Sequence, residues 1–296
     1  MKNIFKPMLL SLLVIIPMTG NEVFSQTEKT QITKSYQFST EAKTKVFYLA
    51  NLNGSVNIHG HDAKEIILKA EKTITAKTKE AFEMGKSLLV GHLQRGDSII
   101  IYIEGACPTF QYKKARNLGG HRAWRYDWDD CHDNDPQFQF DFDVAVPSDA
   151  QVVVSTVNKG DVNVDKIEQA IFANNINGSI TLNNIIGQVR AHTINGHVNL
   201  HYLKNPEKSS RFYSLNGNIN AHYIKNLSAD LSFKSFNGEL FTNIKEWEHR
   251  PVMVRNTKGP NGTTYKVGDT SEIKIRGGGV QLDFETFNGN VYIKEQ

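Results

Sequence analysis

The sequence predicts an all-β fold, a β-solenoid of about 18–21 residues per coil, and three observations carry that prediction. Seven short segments align on their glycines: NLNGSVNI, VNKGDVNV, NINGSITL, TINGHVNL, SLNGNINA, SFNGELFT and TFNGNVYI, centred on Gly54, Gly160, Gly178, Gly196, Gly217, Gly238 and Gly289. Their separations are 106, 18, 18, 21, 21 and 51 residues. Between them, apolar and polar residues alternate with the period of two that a half-buried strand requires, as in Val189-Arg190-Ala191-His192-Thr193. Asn-Gly between such runs ordinarily marks a hairpin, but independent hairpins have no reason to place the same side chains at the same offsets every 18–21 residues, whereas stacked coils must. A propeller blade needs about 40–45 residues, and a leucine-rich repeat needs a leucine ladder that is absent.

Taken in order, the chain of 296 residues opens with a charged, apolar, small-residue succession: Lys2 and Lys6, the run Met8 to Ile16, then Pro17, Thr19, Gly20 and Ser25. This reads as a removable secretory signal over residues 1–26, too short in its apolar part to span a bilayer. Residues 27–147 form an N-terminal β region with the first coil, and residues 148–296 the regular coils. Within the first region, Glu65 to Ala76 alternates as a strand, Thr78 to Lys86 suits a short helical turn, and Leu88–Leu93 with Ile99–Ile103 bracket Arg95-Gly96-Asp97 as a hairpin. Phe138 to Pro147 alternates strictly and stops at proline. The last gap equals one coil plus about 30 residues, so Lys245 to Gly279, with Trp247 and the triple Gly277-Gly278-Gly279, reads as an insertion and a candidate contact surface. At the coil corners the glycines, Gly178 and Gly196 among them, are expected to hold positive φ while Ile180 and Val198 point into a shared core.

Composition excludes several classes. Net charge is +3 from 34 Lys and Arg against 31 Asp and Glu, no nucleic-acid footprint. The mature chain has no apolar run of 18 residues, so no transmembrane span is expected. In an exported chain the two cysteines, Cys107 and Cys131, read first as a disulfide, with free thiols or metal ligands as the alternatives.

The opening NLNGSVNIHGHDAKEI, the passage VPSDAQVVVSTVNKGDVNV and the recurring INGSITL, INGHVNL and FNGNVYI resemble the bacterial "putative adhesin" family. The resemblance covers about Phe47 to Ile293, with 107–131 and 245–279 departing from it. It implies an exported β-solenoid without known catalysis at the cell envelope, and it carries no catalytic or ligand residues.

Some clusters invite chemistry. Asp127, Asp129, Asp130, Asp133 and Asp135 offer oxygens to Ca²⁺, but the spacing fails the EF-hand pattern, and Lys113, Lys114, Arg116, Arg122 and Arg125 would neutralise them within one loop. His132 beside Cys131 lacks a second ligand pair for Zn²⁺. His59, His61, His192, His197, His201 and His222 suit outward positions on coils, with a pH-responsive or metal-binding ladder as the alternative. Tyr112, Trp124, Tyr126, Trp128 and Trp247 on the two insertions could form a glycan-binding surface or simply cap the coils. Trp124, Tyr126, Trp128 and Trp247 are the candidate ligand contacts. No carboxylate pair is singled out for hydrolysis, and no nucleophile elbow, phosphate loop or dinucleotide fingerprint occurs.

The reading is therefore a non-enzymatic exported β-solenoid, located in the periplasm, on the outer-membrane surface or outside the cell. It needs no cofactor or metal, and it contacts an envelope protein or a surface glycan. The alternatives are a carbohydrate-active β-helix enzyme, a lyase or hydrolase, and a periplasmic accessory to envelope signalling.

Overall fold

The computed structural model describes residues 26–39, 42–105, 109–114, 122–127, 136–250, 254–259, 262–267 and 271–296. Residues 1–25 of the expected signal, both cysteines of the expected disulfide, Cys107 and Cys131, and the acidic run 128–135 lie outside the described residues.

The fold is all-β with one short helix, Lys79–Ser87, and two large mixed sheets of ten and eleven strands, neither of them closed. Each repeat gives one strand to each sheet, and the glycine sits in the corner between them. In the Gly178 repeat, Ile171–Asn174 lies in the eleven-stranded sheet and Ile180–Ile185 in the ten-stranded sheet. Equivalent strands pair in parallel: Val162 opposite Ile180, Ile180 opposite Val198, Val198 opposite Ile219. Alternation turns every second side chain inward, so Val56, Val162, Ile180, Val198, Ile219 and Val291 form one fully buried column and Ile58, Val164, Leu182, Leu200, Ala221 and Ile293 another. Each large aliphatic in these columns contributes about 1.5–3 kcal/mol by leaving water.

The Ser, Thr or Asn ahead of the apolar-Asn-Gly motif also points inward, where it must find a partner. It does so on the glycine carbonyl of the neighbouring repeat: Thr156 Oγ1 donates to Gly54 O at 2.8 Å, Asn175 Nδ2 to Gly160 O at 3.1 Å, Thr193 Oγ1 to Gly178 O at 2.8 Å and Ser214 Oγ to Gly196 O at 2.8 Å. The motif asparagines form a second ladder outside. Asn177 Nδ2 donates to Asn158 Oδ1 at 2.7 Å, Asn195 to Asn177 at 2.8 Å and Asn216 to Asn195 at 2.9 Å.

The expected positive φ at Gly178 and Gly196 is corrected. Gly54 takes φ 115°, but neither Gly178 nor Gly196 is among the positive-φ residues. Glycine is required there by proximity: a Cβ on Gly178 would lie 2.2 Å from the Gly160 carbonyl oxygen, one on Gly196 2.1 Å from that of Gly178, and one on Gly217 2.1 Å from that of Gly196. The glycine column lets corner backbones approach closely enough for the hydroxyl ladder to reach.

At one end of the stack, Gln137–Pro147 pairs in parallel with Val56–His61 and antiparallel with Glu65–Ala76, which pairs antiparallel with Gln26–Gln37. Thr78 caps the helix, accepting from Ala81 N, and the buried Lys72 ammonium donates to Lys86 O at 2.7 Å and Leu88 O at 2.9 Å at its other end. At the opposite end, sequence order and spatial order part. The Gly289 repeat does not stack outermost. It lies between the Gly217 and Gly238 repeats, with Val291 opposite both Ile219 and Leu240, and Phe284 opposite both Phe212 and Phe233. Side-chain chemistry explains the choice. The Gly289 repeat offers Leu282, Phe284, Val291 and Ile293 inward, all fully buried, whereas at the position of Ile293 the Gly238 repeat has Thr242. The more apolar repeat takes the interior slot, and the one with a polar inward residue takes the end.

Insertion 245–279 is built into the stack as strands. Trp247–His249 and Ser271–Ile275 extend the eleven-stranded sheet antiparallel beyond Ala229–Asn237, and Val254–Gly259 with Gly262–Val267 make a hairpin between them.

Candidate contact surface

Where the Gly238 repeat ends the stack, the two sheets part and leave an apolar cleft of about 430 Å³, lined by Leu231, Phe233, Leu240, Trp247, His249 and Ile273 among others. That volume falls in the range of ligand-sized pockets. Antiparallel pairing of Trp247 with Ile275 and of His249 with Ile273 sets both rings on the outermost strand, 5.1 Å apart and edge to face. Arg276 holds this strand to the stack. Its guanidinium donates to Glu295 Oε1 at 2.6 Å and Oε2 at 3.0 Å, to Glu246 Oε2 at 3.0 Å and to Leu227 O at 2.6 Å. The hydrogen bond from Arg276 holds the Glu295 carboxyl below its ordinary range. The residues that alternate with the lining ones carry charge on the other face of the sheet, where Lys274 pairs with Glu248 at 3.2 Å and Arg250 with Asp230.

Aromatic side chains crowd the same end. Phe236 is 73% exposed and its ring stacks on that of Phe287 at 4.8 Å; Phe241 stacks on Tyr292 at 5.1 Å. Among the described residues, the exposed large aromatics are Phe236, Phe241, Trp247 and Phe287 here and Tyr112 elsewhere. Phe236 and Phe287 belong to the apolar position before Asn-Gly. They were not singled out as contacts, although parity gives them away: Ser235 and Thr286 point inward, so the residue that follows must point out.

The four candidate ligand contacts come to different places. Trp247 stands on the lip of the cleft, 45% exposed. Tyr126 belongs to the fold: its hydroxyl donates to Ala50 O at 2.8 Å and accepts from Ile103 N at 2.7 Å, and burial pushes its pKa far up. Phe110, tilted against Tyr126 at 5.0 Å and stacked on Tyr102 at 4.8 Å, fastens the hairpin Thr109–Lys114 and Arg122–Asp127 to the sheet. Trp124 lies in that hairpin in register with Tyr112, and Trp128 is outside the described residues. The structure therefore does not bring the four together.

The histidines line the outside of the sheets. His201 and His222 stack at 4.5 Å, and His192 stacks on Tyr213 at 4.6 Å. Burial, then His201 and Lys294, lower the pKa of His222; burial lowers that of His192. Among the described residues no group of three or more His, Cys, Asp or Glu is placed to hold a metal, and no helix is long and apolar enough to cross a membrane.

No protein-family model and no curated protein matches the chain. Three solved structures are similar to it at low identity. A "putative cell adhesion protein" from Clostridium sporogenes is 11% identical with a TM-score of 0.44, covering 91% of this chain and 100% of that one. A "putative adhesin" from Bacteroides fragilis is 10% identical with a TM-score of 0.36, covering 90% and 97%. A "putative lipid binding protein" from Parabacteroides distasonis is 12% identical with a TM-score of 0.28, covering 90% and 97%.

Proposed function

We propose that the protein is a non-enzymatic, exported β-solenoid, its two sheets the opposite walls of one coil stack, which makes contact with an envelope protein or a surface glycan through the Gly238 end. The observation that carries this reading is the apolar cleft under Trp247, opening beside the exposed rings of Phe236, Phe241 and Phe287. Exposed apolar area concentrated in one place on a soluble scaffold marks a contact site, and a rigid stack can present it at little entropic cost. Localisation follows the signal-like residues 1–26 and is tested by N-terminal sequencing of secreted material.

The test of the contact is retention of purified surface polysaccharides and envelope proteins on the immobilised chain, with Trp247→Ala beside the wild type. A central anchor is worth about 2 kcal/mol or more, a loss of roughly thirtyfold in affinity. Unchanged retention by Trp247→Ala at an unchanged melting midpoint would overturn the site. Release of new reducing or unsaturated ends from a polysaccharide would overturn the non-enzymatic reading.

A further inference from the structure

The slot that the Gly289 repeat fills is bounded on both sides by repeats of the same chain, and the segment filling it is joined to the rest by four residues. Ser271–Ile275 runs antiparallel to Ala229–Asn237 on one side, and Val280–Asn288 runs parallel to the same strand on its other side. Residues 276–279 must therefore reverse the chain and step across the end of an intervening strand, a distance of two strand spacings, about 9–10 Å. They manage it with three left-handed residues: Arg276 at φ 51°, Gly278 at 73° and Gly279 at 144°. Arginine at such a φ costs energy that an extended hinge would release. The closed hinge is held by Ser228 Oγ donating to Gly278 O at 2.7 Å and by Gly278 N donating to Ile275 O at 3.0 Å.

We propose that this slot is an exchange site, filled in trans by residues 280–295 of a second copy of this chain to give a reciprocally swapped dimer. The occupant is fixed by the fit already visible within one chain. Asn288 Nδ2 donates to Asn216 Oδ1 and Asn237 Nδ2 donates to Asn288 Oδ1, both at 2.9 Å; Thr286 Oγ1 donates to Gly217 O at 3.3 Å; and Glu295 receives both arms of Arg276. Arg276 opens the hinge, directly after Ile275 of its own body, and Glu295 lies beyond it, so each body's Arg276 would grip the other copy's Glu295. Every contact of segment 280–295 with its slot is thus made again in the swapped form, and only the hinge's own hydrogen bonds, Ser228 Oγ to Gly278 O and Gly278 N to Ile275 O among them, are given up. Exchange of an identical element is a low-cost route to a dimer, and a short hinge under strain favours it.

The experiment uses the mature chain. Wild type unfolded in urea and refolded at high concentration is expected to give, by light scattering after size exclusion, a dimer that persists on dilution. Deleting Gly277 and Gly278 should turn most of the sample dimeric, and inserting two glycines after Gly279 should return it to monomer. Location is read with the wild-type hinge: His222 and Lys294 are cross-strand partners facing out of the sheet, so a His222→Cys copy refolded together with a Lys294→Cys copy should form a disulfide between chains that neither copy forms alone. Monomer in every one of these samples overturns the proposal, as does a dimer whose two copies fail to cross-link at that pair.

Discussion

Asn288 donates its side-chain amide to Asn216 Oδ1 at 2.9 Å across 72 residues of sequence. The two asparagines occupy equivalent corners of adjacent repeats, so the outer ladder continues through the stack in spatial order, 158, 177, 195, 216, 288, 237, and ignores the order of the chain.

A rung inside this ladder has two amide partners and the last rung one. Asn195→Ala should therefore lose about 1 kcal/mol and Asn237→Ala about half that, since each solvent-facing hydrogen bond contributes near the lower end of the usual range. Urea unfolding of the two variants measures the difference; equal losses would mean the ladder contributes nothing beyond its backbone pairing.

The glycine column makes a steric prediction. Gly196→Ala brings a Cβ to 2.1 Å from a backbone carbonyl oxygen that is itself held in the ladder, so the neighbouring repeats must separate, at a cost of about 1–3 kcal/mol. Gly178→Val should do at least as much damage. Arg190→Gln, which gives up only an exposed guanidinium 5.7 Å over the Phe172 ring, should stay within about 1 kcal/mol. Equal stability of Gly178→Val and Arg190→Gln would remove close approach as the reason for the column.

Acid should weaken the fold in two stages. The pKa of His222 is lowered in the folded chain from its ordinary 6.5, so below 6.5 the unfolded chain binds more protons and stability falls as pH falls. Glu295 is lowered from 4.5, so its contribution holds above that value and is lost as pH drops further, through its folded pKa. Thermal midpoints between pH 7.5 and 5 should decline in the wild type and decline less steeply in the double variant His201→Asn, His222→Asn, which retains the contribution of His192. An identical slope in the double variant would assign the first stage to other groups.

Tyr126 and Trp247 should separate structure from contact. Tyr126→Phe strips a hydroxyl from Ala50 O and Ile103 N, and the unpaired groups should cost about 1–3 kcal/mol. Trp247→Ala should change the midpoint little while weakening binding, because nearly half of the ring faces solvent. Calorimetry of both, alongside binding, distinguishes the roles; a larger stability loss at Trp247 than at Tyr126 would place Trp247 in the core.

Much of the fold was legible because alternation is local. The strand Glu65–Ala76 matches the reading residue for residue, the hairpin turns at Gly96 with φ 55°, and Phe138 to Pro147 buries the face its pattern marks. The inward positions of Ile180 and Val198 followed from the same period. What sequence could not supply was order in space, because the Gly238 and Gly289 repeats carry the same motif and either satisfies a neighbour's hydrogen bonds. Only comparing their inward residues, Thr242 against Ile293, separates them. The glycine geometry was misread for a related reason: Asn-Gly signals a turn, but a turn and a close approach both exclude side chains, and composition cannot say which. Of the candidate contacts, Trp247 could be placed by its insertion, whereas Tyr126 was absorbed by backbone groups, Ala50 and Ile103, which no residue pattern advertises.

The displaced order of the last two repeats has a kinetic side. Closing the chain between Gly217 and Gly238 spans 21 residues and closing it between Gly217 and Gly289 spans 72, a difference of about 1 kcal/mol in loop entropy that favours the wrong neighbour. As the chain lengthens during synthesis, the Gly238 repeat reaches the Gly217 edge first, and its asparagine and glycine fit there. Such an early pairing would have to give way when Phe284 and Ile293 arrive, so a chain that held the Gly238 repeat more firmly in that place, with isoleucine at Thr242, is expected to mature more slowly.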